Sequence, residues 1–138
     1  MTSRQELQKL SCLRLEEAEA LFAAGYYDGC AYLSGYILEF ALKAAVCATL
    51  KVEEYPEARL KGSFRTHNFD ALRLLGGMEK AFTPANPVRL ANWSVASKWR
   101  PERRYEAGGT YDRVAAEEIL DALRSYPDGA LACISSHW

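Results

Sequence analysis

The chain has 138 residues, 49% of them hydrophobic and 25% charged, with a net charge of −1; this fits one soluble globular domain over residues 1–138, and nothing in it suggests disorder or a second domain. Its start, TSRQELQKL, is polar and has no apolar h-region, so no secretory signal is expected and the reading is a cytoplasmic protein. Four scattered cysteines (Cys12, Cys30, Cys47, Cys133) without a C-x-x-C pair, and two histidines (His67, His137), make neither a disulfide framework nor a zinc site, so no metal or cofactor is expected.

Ser3 and Glu6 form a capping box ahead of apolar Leu7, Leu10, Leu13, Leu15, Ala18, Leu21 and Phe22, which predicts a first helix that Gly25 stops. Asp28 is the expected cap of a second helix persisting to about Lys51. The short connection makes the two an antiparallel hairpin, and Gly29, Ala31, Ser34 and Gly35 are small enough to bring them close. The run Cys30 to Leu50 has the length of a membrane span, but Glu39, Lys43, Ser34 and Gly35 argue for a core helix and no membrane.

Val52 to Arg65, with Pro56 and Gly62, reads as a loop. Thr66 to Leu75 is a short amphipathic helix capped by Thr66 or Asn68 and ended by Gly76-Gly77. Asn86-Pro87 supplies the cap and first position of another helix, running to about Lys98. Pro101 breaks the pattern, and SKWRPERRYEAGGTYD is expected to be extended or looped, with Gly108-Gly109 giving only a turn. Thr110 or Asp112 begins a last long helix, VAAEEILDALRSY, which Pro127-Asp128-Gly129 separates from a final apolar turn, ALACI. Ser135-Ser136-His137 lies at the chain end, where fraying is expected. No strand pattern or repeat appears, so the fold class is all-α, an antiparallel up-and-down helical bundle of about five helices.

Glu39 and Lys43 are the one acid and one base of an otherwise apolar helix, at i,i+4 spacing with the acid first. An unpaired charge there would cost several kcal/mol, so the two are either an internal ion pair or the wall of a polar site. The net charge also hides an asymmetry. Residues 59–104 hold ten Lys/Arg and three Asp/Glu, a net +7, against a net −8 for the rest. Such a middle, containing Phe64, Trp93 and Trp99, either meets an anion or a nucleic acid or neutralises the acidic ends, within one fold or between two subunits.

Lys98, Arg100, Arg103 and Arg104 form the sharpest basic cluster, with Trp99 and Tyr105 as rings on which a base can stack. The alternative packs Trp99 and Tyr105 inward and sends one arginine to Glu39. His67, between Thr66 and Asn68 and close to Arg65, is either a capping or packing residue or a phosphate contact at a helix start.

Three elements together, the hairpin LRLEEAEALFAAGYYDGCAYLSGYILEFALKAAV, the short RTHNFDAL and the basic-aromatic RPERRY, resemble the HEPN family of small helical proteins, over about Leu13 to Ile134. The resemblance implies a helical bundle, usually a homodimer, found beside a minimal nucleotidyltransferase partner or as a stand-alone RNA-cleaving toxin or defence protein. The ribonuclease members carry an arginine a few residues ahead of a histidine, a spacing that neither His67 nor His137 has here. The sequence therefore points to a nucleotide- or RNA-binding, regulatory HEPN-like module rather than an enzyme, with Arg65, His67, Lys98, Arg100, Arg103, Arg104 and Tyr105 as ligand-binding residues and Glu39 with Lys43 as an internal polar pair. It would be a homodimer, possible partner of a nucleotidyltransferase in a toxin-antitoxin or defence-type system. The alternatives are an RNA-cleaving toxin with a noncanonical site on His67 and a purely structural dimeric partner subunit.

Overall fold

The computed structural model describes residues 2–57 and 66–138; Arg59, Lys61, Gly62, Phe64 and Arg65 lie outside them. The described residues form an all-helical fold of six α-helices, α1 (Arg4–Ala23), α2 (Tyr27–Leu50), α3 (Phe69–Leu75), α4 (Pro87–Ala96), α5 (Arg113–Arg124) and α6 (Ala130–Ser135), with one 3₁₀ helix (Pro101–Tyr105) between α4 and α5.

The capping box forms: the Ser3 hydroxyl accepts from the Glu6 N–H, and the Glu6 carboxylate accepts from the Ser3 N–H. Asn68, Asn86 and Asp112 likewise cap α3, α4 and α5 with side-chain oxygens, so Asn68 and Asp112, not Thr66 and Thr110, are the caps. Asp28 differs from expectation. The second helix begins at Tyr27, leaving Asp28 in its first turn, where an acid suits the helix dipole. Its carboxylate reaches instead across the molecule, accepting from the N–H groups of Gly109 (2.6 Å) and Tyr111 (2.9 Å). The stretch expected to be extended or looped after Pro101 coils into the 3₁₀ helix, and the final apolar turn is α6.

Residues of α2 from Cys30 to Cys47 are buried on nearly every side, and α2 touches every other helix. By length and composition it is long and apolar enough to cross a membrane, yet 67% of its most apolar window is buried inside the protein. Against α1 it packs closely at Gly29, where a β-carbon would lie 3.3 Å from Leu21, and the buried Ser11 hydroxyl donates to the Ile37 carbonyl at 2.8 Å. After α2 the chain turns through Lys51, in the left-handed region at φ 56°, and runs back beside the start of α1, with Arg4 N–H donating to Glu53 and Tyr55 N–H to Thr2. The other end does not fray as expected: Trp138 is half-buried and its indole N–H donates to the Ala41 carbonyl at 3.1 Å.

Candidate functional site

Gly35 decides where a site can form. It serves Trp99 rather than α1, since a β-carbon at this position would fall 1.9 Å from the indole. Trp99, almost fully buried, donates from Nε1 to the Tyr32 carbonyl at 2.8 Å, and its ring centroid lies 5.2 Å from that of Tyr36 and 5.9 Å from that of Phe69. Phe69 opens α3, so one indole anchors residues 97–105 beside the start of that helix. Between them is a cleft of about 420 Å³ whose polar walls include His67, Asp70, Ser97, Arg100 and Glu102.

Behind His67 runs a line of ionic contacts into the core. His67 Nδ1 bonds Oε1 of Glu39, whose Oε2 lies 4.0 Å from Lys43 Nζ. Lys43 Nζ is also 3.9 Å from Glu57 Oε1 and 5.0 Å from the centroid of the Tyr55 ring. Glu39 and Lys43 are 3% and 8% exposed, whereas the side chains of His67 and Glu57 are 54% and 48% exposed. The line thus starts and finishes at the surface and crosses the interior, and a protonated imidazole would balance its charge. Burial, followed by the charge of Glu57, pushes the Tyr55 phenol up. The hydrogen bond with Tyr32, then burial and the charges of its neighbours, Glu39 among them, push the Tyr36 phenol up to about 12. Among the described residues it is His67, and not an arginine, that meets Glu39.

The anticipated residues divide. His67 and Arg100 share the cleft, and Arg100 has no ion-pair or hydrogen-bond partner among the described residues. Lys98 is exposed on the same stretch without lining the cleft. The Arg103 guanidinium lies 5.1 Å from the Tyr111 ring centroid and that of Arg104 4.7 Å from the Tyr105 ring centroid. Tyr105 is 77% exposed, so it does not pack inward with Trp99. Arg65 lies outside the described residues.

Two expectations about charge need correcting. The cleft is mixed, since Asp70 and Glu102 line it too; both were visible in the sequence, but the +7 total averaged them away. The start of α3 also offers fewer N–H groups than expected, because Thr66 Oγ1 accepts the Asn68 N–H and Asn68 Oδ1 that of Ala71. Of the two nitrogens of the His67 ring, Nδ1 is engaged by Glu39 and Nε2 has no partner among the described residues.

Other chemistry is sparse. Among the described residues no three His, Cys, Asp or Glu side chains gather as metal ligands. All four cysteines are free, and burial pushes the Cys30 thiol up to about 11, far from a reactive thiolate. No protein-family model matches the chain, and no curated protein or solved structure matches it with significance.

Proposed function

We propose that the chain is a HEPN-like helical bundle acting as a nucleotide- or RNA-binding module, with the ligand's phosphate held between His67 and Arg100. One observation carries the reading: two residues distant in sequence are brought to one cleft, with the guanidinium unpaired and one imidazole nitrogen unengaged among the described residues. Arginine's fork suits a phosphate. Asp70 and Glu102 would repel a bare anion but can accept hydrogen bonds from the N–H groups of a base, which favours a nucleotide or RNA over inorganic phosphate. Exposed Tyr105 and Arg104, next along the chain, give a following nucleotide a ring and a charge. The resemblance to HEPN proteins adds a homodimer and a nucleotidyltransferase partner, in a cytoplasmic toxin-antitoxin or defence-type setting.

The test is retention of labelled single-stranded RNA on a native gel at low and physiological salt. Retention that weakens with salt, and by about tenfold or more in Arg100→Ala, is expected. Affinities for RNA and for every nucleotide unchanged in Arg100→Ala with Arg103→Ala would refute it. A second reading, cleavage of the bound RNA, is favoured by the carboxylate at Nδ1 of a half-exposed imidazole, an arrangement that suits a general base. A denaturing gel of the same samples decides it: fragments that His67→Ala abolishes would make the protein an enzyme.

A further inference from the structure

The imidazole in the cleft is held from behind by a carboxylate that is itself almost wholly buried. A carboxylate on Nδ1 accepts a hydrogen bond from the N–H of that nitrogen in either charge state of the ring. What changes with charge is Nε2: in the neutral ring it is a lone pair, which a phosphate oxygen repels, and in the imidazolium it is a donor, which a phosphate oxygen accepts. Resting on the phosphate reading above, we infer that Glu39 is a positioning residue that aims His67 Nε2 at the cleft, and that the site holds a phosphodiester while His67 is protonated and releases it as the pH rises.

The neighbours make His67 the group that decides this. From α2 it faces Glu39, behind which stand Lys43 and Tyr36, and from residues 52–57 Glu57 and Tyr55 stand at Lys43; Asp70 of α3 and Arg100 and Glu102 of residues 97–105 share its cleft. Carboxylates ordinarily titrate below about pH 5 and lysine, tyrosine and arginine above about pH 9, leaving histidine as the residue type that changes charge between about pH 5.5 and about pH 8. The only other histidine, His137, bonds Ser136 and the Cys133 carbonyl at the far end of the chain. Lys43 is shared between Glu39 and Glu57, so Glu39 has negative charge to spare for the ring. Loss of Glu39 therefore removes both the ring's aim and the carboxylate it faces.

The experiment measures binding of a dinucleoside monophosphate, whose diester has no proton to gain or lose in this range, by calorimetry at about pH 5.5 and about pH 8. The wild type is expected to bind about tenfold or more weakly at the higher pH. His67→Gln should abolish that difference, and Glu39→Gln should weaken binding at about pH 5.5. Arg100→Ala should weaken binding at both values and keep the difference. A difference that survives in His67→Gln, or binding at about pH 5.5 unchanged in Glu39→Gln, overturns the inference and leaves the phosphate site standing. A wild type that binds at neither pH overturns the phosphate site, and the inference with it. His67 is half exposed, so His67→Gln keeps the test decisive even where Glu39→Gln disturbs the core.

Discussion

Trp99 lies on the bare α-carbon of Gly35, so close that a β-carbon there would meet the ring at 1.9 Å. Gly35→Ala adds helix propensity worth about 1 kcal/mol. It also drives the indole out, with its bond to the Tyr32 carbonyl, and overpacking of this kind costs about 1–3 kcal/mol with the lost bond in addition. The clash should win: thermal unfolding is expected at lower temperature with red-shifted tryptophan fluorescence. An unchanged or raised melting temperature would show that the contact is looser than described.

The buried pair should prove strongly coupled. Glu39→Ala leaves Lys43, 8% exposed, with the half-exposed Glu57 and the Tyr55 ring, and a loss of about 3 kcal/mol is expected. Replacing both, Glu39→Leu with Lys43→Met, removes the buried charge and should recover most of it. Urea unfolding of the singles and the double closes the cycle; additive losses would mean that the two charges do not interact.

Asp28 gives a pH dependence whose direction follows from its bonds. The Tyr111 and Gly109 N–H groups hold its carboxyl below the ordinary aspartate value of 3.8. The resulting tie between α2 and residues 109–111 is therefore at full strength above that value and is lost as pH falls through the lower, folded one. Amide exchange at Gly109 and Tyr111 should be slow at neutral pH in the wild type and fast in Asp28→Ala. Equal protection in both proteins would remove Asp28 from that role.

At the other end of the chain, Trp138→Ala gives up a half-buried ring and its bond to Ala41. A loss of about 2 kcal/mol is expected in urea unfolding. No change would return the end of the chain to the fraying that its sequence suggests.

Most of the helices were readable because their signals are local. Ser3 with Glu6, Asn86 with Pro87 and Gly76-Gly77 each fix an end through groups within a turn of one another. What misled was chemistry satisfied at long range. Asp28 resembles a cap because its carboxylate needs N–H donors, and nothing nearby reveals that those donors lie 81 and 83 residues ahead. Gly35 looked like a helix-contact glycine until Trp99 was placed on it. The burial of Glu39 and Lys43 could be read from the apolar residues around them, whereas the partner at the far side could not: an arginine from the basic cluster and a histidine ahead of α3 were equally compatible with one buried acid, and only the packing of α3 on α2 selected His67.

The placement of α2 has a consequence for synthesis. It emerges second, paired with α1, while α5 and α6, which complete its surroundings, begin more than sixty residues after its last residue. At about 5–20 residues per second, seconds pass before those helices exist. For that interval a helix apolar enough for a membrane has α1, then α3 and α4, beside it, while the faces that α5 and α6 cover stay bare. The nascent chain, rather than the finished fold, is the form of this protein most exposed to aggregation and most in need of a chaperone.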